Sequence, residues 1–494
     1  MENNKELMEI AYSKIKEKKD AVNSDYYRLK YHVLPPVGFL NDPNGFIQIN
    51  GEYNLFYQFR PFYPNEEGRK LTYWGHLKSK DMVNWEEMPL GLAPGDWYDA
   101  NGCYSGSAVN NNGVFTLMYT GNVKDKDGNR AAYQCIAETA DGVVFKKHAD
   151  NPVIKSQPEG YTAHFRDPKV WKKDNIWYMV IGTQTVSENG RVLLYRSENL
   201  LNWSLVGEVT GSNVNGLGDF GYMWECPDLF ELGDKDVLVA CPQGLEAKGD
   251  AYNNIYQSMY FTGKLDYESG SFKHEVYDEL DRGFEFYAPQ TTLDDKGRRL
   301  IIGWMGLPEE ENHPTVGYGW LHCMTLPRVL ELHGTKLYQK PIEELQTLRK
   351  NEVSFKNVMV KNQETQIENI SGDVFELIVE AELGDSTEFA IKLRCSEDGN
   401  EETVISYNKE TGKVAVNRDK SGKNLQGIRR CSIGNRSKIK FDIFSDTSSV
   451  EVFINDGEEV FSGRIYPDMN STGIKFHSVG GNTKIESIQK WDLK

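Results

Sequence analysis

Asp42, Asp167 and Glu225 are the residues of this chain whose types and settings could do chemistry. Each stands at a turn beside a proline, in Asn41-Asp42-Pro43-Asn44-Gly45, Arg166-Asp167-Pro168 and Glu225-Cys226-Pro227. Carboxylates brought into one small space push each other's pKa values upward and apart, so one can hold a proton while another stays an anion. That division suits acid, base and nucleophilic roles. Two plainer readings compete. An aspartate before proline commonly caps its own backbone as a turn residue, and grouped carboxylates can hold a calcium or magnesium ion. Three acids at one phase of a repeat argue against the first. Arg166 argues against the second, because a guanidinium beside the carboxylate duplicates the ion's role.

The repeat shows which elements must position the acids. After Asn41-Asp42-Pro43 come Phe46-Ile47-Gln48-Ile49, the tight turn Asn50-Gly51, and Leu55-Phe56-Tyr57-Gln58, which reads as a β-hairpin. The pattern returns at Tyr104-Ser105-Gly106, Arg166-Asp167-Pro168, Glu225-Cys226-Pro227 and Tyr287-Ala288-Pro289. Taking positions 42, 105, 167, 226 and 288, the steps are 63, 62, 59 and 62 residues. A second repeat, Ser79-Lys80-Asp81-Met82-Val83-Asn84-Trp85 against Ser197-Glu198-Asn199-Leu200-Leu201-Asn202-Trp203, reads as a structural turn carrying a core aromatic. Thr139-Ala140-Asp141-Gly142-Val143-Val144-Phe145 is a looser copy. Strands and turns at this period predict a five-bladed β-propeller. Equivalent positions of its blades converge on a central channel, which would place the three acids together.

Phe39-Leu40-Asn41-Asp42-Pro43-Asn44-Gly45, Phe165-Arg166-Asp167-Pro168 and Trp224-Glu225-Cys226-Pro227 resemble the three acidic motifs of glycoside hydrolase family 32, which includes invertases, fructan hydrolases and sucrose-6-phosphate hydrolases. Tyr73-Trp74-Gly75-His76, Cys103-Tyr104-Ser105-Gly106-Ser107-Ala108, Phe284-Glu285-Phe286-Tyr287-Ala288-Pro289-Gln290 and Gly303-Trp304-Met305 support the match, which covers about residues 30 to 494 in order. The run from Asn215 to Asp228 looks most like the bacterial intracellular branch that acts on sucrose 6-phosphate. Phe39-Leu40 replaces the usual Trp-Met, an apolar exchange at the pocket rim.

The resemblance implies a retaining β-fructofuranosidase acting on sucrose 6-phosphate or sucrose. Asp42 would be the nucleophile, Glu225 the general acid and then base, and Asp167 with Arg166 would bind fructose hydroxyls and steady an oxocarbenium-like transition state. Leu40, Asn41, Gln58, Trp74, Tyr104, Ser105, Tyr287 and Trp304 are the further pocket candidates by the same match. No cofactor and no metal are implied. Sharing space with two acids between Trp224 and Cys226, Glu225 is expected to have a raised pKa. An inverting five-bladed arabinan- or xylan-cleaving hydrolase, a fructan exohydrolase and a non-catalytic sugar-binding protein are the alternatives.

At 494 residues two domains are expected. The propeller is placed at 30–335 and a short linker helix at 336–350, opened by Pro341. From 351 to 494, alternating strands such as Val374–Val379, Phe389–Leu393, Ile439–Phe444 and Val450–Ile454 predict an antiparallel β-sandwich. Residues 1–29 form an extension whose charged amphipathic helix, with Leu7, Met8, Ala11, Tyr12 and Ile15 on one side, lacks the apolar core of a signal peptide. Seven irregularly spaced cysteines fit a reducing compartment, hence the cytoplasm. Cys226 reads as a small apolar group beneath Glu225, and His32 and His76 as core or wall residues. A net charge of -17 speaks against nucleic acid and anionic membranes and is compatible with a small sugar. A phosphorylated sugar would need local basic residues; Arg69, Lys70, Arg191 and Arg282 are the candidates.

Overall fold

The computed structural model describes residues 4–64 and 70–493, and Arg69 lies outside them. Among the described residues the strands form seven sheets. Five of these, of four or five strands, occupy the chain as far as Pro341. The first runs Gly38–Ile49, Glu52–Arg60, Tyr73–Ser79 and Glu86–Glu87, each strand antiparallel to the one before. The tight turns read from the sequence are there. Asn50 and Gly51 have φ of 53° and 77°, and Asn112 and Gly113 have 53° and 93°. Two left-handed residues in succession give the turn whose twist matches a hairpin, and asparagine and glycine tolerate that backbone best.

The first strands of the five sheets are Gly38–Ile49, Gly102–Asn111, Tyr161–Lys173, Met223–Leu232 and Tyr287–Leu293. Each packs on the next, and the fifth packs on the first, so the contacts close in a cycle. Late in the chain Trp320–Leu321 pairs in parallel with the first of them. At the end of these strands away from the acids, residues from all five line one cavity of about 770 Å³. Large apolar side chains such as Phe56, Trp74, Trp224 and Phe261 are buried between the sheets, each stabilising by about 1.5–3 kcal/mol relative to exposure.

The second repeat is a structural turn, as expected. Asp81 Oδ1 accepts the N–H groups of Val83 and Asn84 at 2.9 and 2.8 Å, and the Trp85 indole donates to the Met82 carbonyl at 3.0 Å. Asn199 and Trp203 repeat these bonds in the third sheet.

The last two sheets have six strands each and face one another across a core that includes Leu377, Phe389, Phe441, Val452 and Phe476. The helical linker is shorter than the sequence pattern implies. Lys336–Pro341 is a strand of the fifth sheet, paired with Arg328–His333, and Arg349–Val360 already belongs to the sixth. Only Glu343–Leu348 is helical, as a 3₁₀ turn. Leu337 and Gln339 alternate inward there, a period of two that favours the strand.

The N-terminal helix spans Asn4–Asn23 and lies on the first sheet with Leu7, Ala11 and Val22 buried. Leu90 N–H donates to the Tyr12 hydroxyl, and Lys19 pairs with Glu87. Arg328, fully buried, ties the five-sheet region to the last two sheets. It donates to Asp281 and Gln339 on one side, and to Glu451 and Ser462 on the other. His32 sits between Asp446 and Glu451 at 2.9 and 3.1 Å, and His76 stacks on Phe56 in the core.

Candidate active site

Every one of the five first strands breaks register near its start, at Leu40/Pro43, Tyr104/Gly106, Arg166/Lys169, Glu225/Asp228 and Tyr287/Gln290. A bulge bends the strand and re-aims its side chains. Asp167, Cys226 and Ala288, each directly before a proline, have φ of 67°, 47° and 48°. Non-glycine residues held there are strained, and such strain gathers at functional sites. This geometry corrects the single-phase reading of the acids. Cys226, not Glu225, occupies the place of Asp167, and Glu225 stands one residue earlier, at the place of Arg166 and Tyr287. Its longer side chain still reaches the common space.

Asp42 accepts from Asn41 Nδ2 at 3.0 Å on Oδ1, and from Gln58 Nε2 at 3.1 Å and Ser105 Oγ at 2.5 Å on Oδ2. Asn41 also donates to Gln58 Oε1, which fixes both amides, and Gln58 Nε2 bonds Ser105 Oγ. The Cys226 thiol lies between the two aspartates, with Sγ 3.7 Å from Asp42 Oδ2 and 3.6 Å from Asp167 Oδ2. It therefore sits under Asp42 and Asp167, not under Glu225. Burial pushes this thiol well above its ordinary pKa, so it is a neutral spacer. Asp167 Oδ2 accepts the Cys226 N–H at 3.0 Å, while its own N–H donates to Thr120 Oγ1.

Glu225 is gripped on both oxygens. Arg166 donates to Oε1 through Nε at 2.9 Å and Nη2 at 2.5 Å, and Gln243 Nε2 and the Tyr287 hydroxyl reach Oε2 at 2.5 and 2.7 Å. Arg166 Nη1 lies 2.9 Å from His164 Nδ1. Burial favours the neutral form of Glu225, but the Arg166 charge and the bonds from Tyr287 and Arg166 outweigh it, and the pKa is lowered. The expected raised value is absent because a guanidinium, not the other acids, is its nearest charge. The raised acid is Asp167, pushed up to about 7 by burial first, and by Glu225 and Asp42 against the pull of Arg166. Asp42 is also raised, chiefly by burial. The three acids are thus pushed apart, Glu225 down and Asp42 and Asp167 up.

Of the sequence candidates, Asn41, Gln58, Ser105, Arg166 and Tyr287 touch the acids directly. Trp74 stands one step back, fully buried, its indole donating to the Tyr104 carbonyl at 3.2 Å. Leu40 is buried in the apolar core, and Trp304 packs edge-on against Tyr287 and Phe39 without bonding an acid. Gln243 was not recognised in the sequence. Its signal was register, since Cys241-Pro242-Gln243 runs opposite Met223-Trp224-Glu225. Among the proposed phosphate contacts, Arg191 is taken by Glu208 and two carbonyls, and Arg282 by Asp278, Glu279 and Glu459. Lys70 is exposed.

Comparison with known proteins shows the family. Residues 32–341 match the Glycosyl hydrolases family 32 N-terminal domain, and residues 344–492 match the Glycosyl hydrolases family 32 C terminal domain. The chain is 46% identical over 464 residues to the sucrose-6-phosphate hydrolase of Bacillus subtilis (strain 168), covering 94% of each chain. It is 41% identical over 482 residues to that of Staphylococcus xylosus, covering 96% of this chain and 94% of the relative. Among solved structures, sucrose-6-phosphate hydrolase from Lactobacillus gasseri superposes with a TM-score of 0.88 at 32% identity, covering 98% of this chain and 96% of that one. The Bombyx mori GH32 beta-fructofuranosidase superposes at 0.84 with 37% identity, covering 98% of both chains, and a mutant of it was solved in complex with sucrose. Matched along nearly its whole length, with the three acidic motifs meeting in one bulged pocket, the chain belongs to glycoside hydrolase family 32.

Proposed function

We propose that this protein is a retaining β-fructofuranosidase that hydrolyses sucrose 6-phosphate and sucrose, with Asp42 as nucleophile and Glu225 as general acid and then base. The observation that carries this reading is the meeting of the three acids, Asp42 and Asp167 on either side of the Cys226 thiol and Glu225 held beside them by Arg166. The named activities of the relatives support the substrate. The scaffold we read is a five-bladed β-propeller, its blades the five sheets up to Pro341, followed by a β-sandwich that stabilises it. Seven unpaired cysteines support a cytoplasmic setting.

The chemistry follows from the donors. Asn41, Gln58 and Ser105 hold the Asp42 carboxylate as an oriented anion. Asp42 attacks C2 of the fructosyl unit while the bond from C2 to the glucosyl oxygen breaks. Glu225 gives its proton to that oxygen. For this Glu225 must be protonated when the sugar is bound. A sugar seated on the acids would exclude water and compete for Arg166, both of which raise the Glu225 pKa. Glu225 then takes a proton from water, which attacks C2. Fructose leaves with its configuration retained, and Asp42 is again an anion.

Steady-state hydrolysis of sucrose, sucrose 6-phosphate, inulin and levan by one preparation tests the reading. Fructose release with a higher kcat/KM on the disaccharides is expected. Release from neither disaccharide, or a much higher value on the polymers, would overturn it.

A further inference from the structure

Arg130 opens the strand Arg130–Thr139 of the second sheet and stands across from Lys124 in the hairpin. Its guanidinium lies over the Tyr104 ring, Cζ 5.7 Å from the centroid. Tyr104 and Arg130 both lie within charge range of Arg166, and Arg130 also of Glu225 and Asp167, so the Arg130 head group stands beside the three acids. Arg130 is partly buried and feels Arg166 as a like charge and Glu225 and Asp167 as opposite ones. Yet among the described residues it forms no ion pair and no side-chain hydrogen bond. Other arginines of the chain are committed. Arg166 is committed to Glu225 and His164, Arg191 to Glu208, and Arg282 to three acids.

An arginine held on an aromatic face at the edge of a catalytic pocket, with its fork of donors unspent, is a preformed anion site. The chain as a whole repels anions, with its net charge of -17, and the pocket adds three carboxyls. An anionic substrate could approach only against that field unless a cation stood at the entrance. Lys124, exposed on the opposite strand, adds a second positive charge there. Its hairpin is closed by Asp125, whose carboxylate is occupied by Asn129 and the N–H of Asp127. His164 contributes no charge at neutral pH, since burial and then Arg166 and Arg130 hold it at about 4.

We propose that Arg130 recognises the phosphate of a phosphorylated leaving sugar and so sets the preference of this site for sucrose 6-phosphate over sucrose. The inference rests on the β-fructofuranosidase reading and adds the residue that reads the leaving group. Glu225 meets the leaving oxygen by its chemistry, and Arg130 stands within its electrostatic reach.

The test compares wild type with Arg130→Gln and Arg130→Lys on sucrose and sucrose 6-phosphate, with glucose 6-phosphate and glucose as inhibitors of sucrose hydrolysis. In wild type, glucose 6-phosphate should inhibit about tenfold or more below the concentration at which glucose does, and added salt should narrow the gap. Arg130→Gln should lose about tenfold or more of kcat/KM on sucrose 6-phosphate beyond its loss on sucrose, mostly through KM. Arg130→Lys should recover part of that difference. Equal losses on the two substrates, or equal inhibition by glucose and glucose 6-phosphate in wild type, would overturn the proposal. A wild type that hydrolyses neither substrate would instead reject the activity on which it rests.

Discussion

At the scale of the residue, three carboxyls whose pKa values are pushed apart distinguish this pocket. Burial, Glu225 and Asp42 push Asp167 up to about 7, while Arg166 holds Glu225 below its ordinary value. The acid limb and alkaline limb of kcat/KM belong to the cluster rather than to one side chain. The alkaline limb is expected near neutrality. Asp167→Asn removes a negative neighbour, leaving Glu225 held low by Arg166, so the limb should move to lower pH. An unmoved limb in the pH profile would show that Asp167 takes no part in the proton inventory. The same residue makes a stability prediction. A carboxyl whose folded pKa lies above its ordinary 3.8 makes the folded state bind the extra proton, so stability falls as pH rises from 3.8 to about 7 and stays reduced above it. Asp167→Asn should raise the thermal midpoint, by more at pH 8 than at pH 4. The direction of the Glu225 shift was not legible from sequence, because it depends on which charge is nearest, and the Arg166 side chain points at Glu225 rather than at its own neighbour Asp167.

At the scale of the element, the bulged first strands aim the acids, and glycines let neighbouring sheets approach closely enough. A Cβ on Gly182 would lie 2.2 Å from the Trp224 carbonyl oxygen, directly before Glu225, and Gly182 pairs in register with Arg166. Gly182→Ala should therefore push the third and fourth sheets apart at both partners of that ion pair. We expect a loss of stability of about 1–3 kcal/mol together with a fall in kcat. Full activity in a variant that melts at the wild-type temperature would contradict this close-packing account. Much of this architecture was legible, because Asn50-Gly51 and Asn112-Gly113 announce tight hairpins and the motif around Asp42 recurs. The one-residue offset of Glu225 was not, because a bulge changes which way a side chain points without changing the wording of the motif. Arg130 belongs to no repeat, and its place over Tyr104 arises only when the side chain reaches across the intervening strand of the second sheet. Pro341 suggests a helix start and so an end of the propeller at 335, whereas the alternation of Leu337 and Gln339 carries the strand up to Pro341.

At the scale of the whole molecule, the last two sheets are bound to the rest by buried charge. Glu451 accepts His32 Nε2, the Leu326 N–H and Arg328 Nη2, and all of these are shut off from water. Burial opposes its charge, but Arg328 and His32 hold its pKa below the usual 4.5, so its contribution is present above 4.5 and lost as pH falls through the lowered value. For His32, burial works against the charge but Asp446 and Glu451 raise the pKa above 6.5, so that contribution is complete below 6.5 and lost as pH rises through the raised value. Glu451→Gln should cost roughly 3 kcal/mol of stability, with the largest drop in thermal midpoint between about pH 4.5 and 6.5. A drop that grows toward pH 9 would contradict the role given to His32. The complete catalytic cycle is also a property of the whole molecule, and it yields the most direct test of retention through Asp42. Glu225→Gln, given a fructosyl donor whose leaving group needs no proton, should form the fructosyl-enzyme and lack the base to release it. Rapid quench and peptide mass spectrometry should find a fructosyl ester on Asp42, and early-time NMR of the wild-type reaction should show fructose released as the β-anomer. Release of the inverted anomer with no adduct on Asp42 would contradict the account.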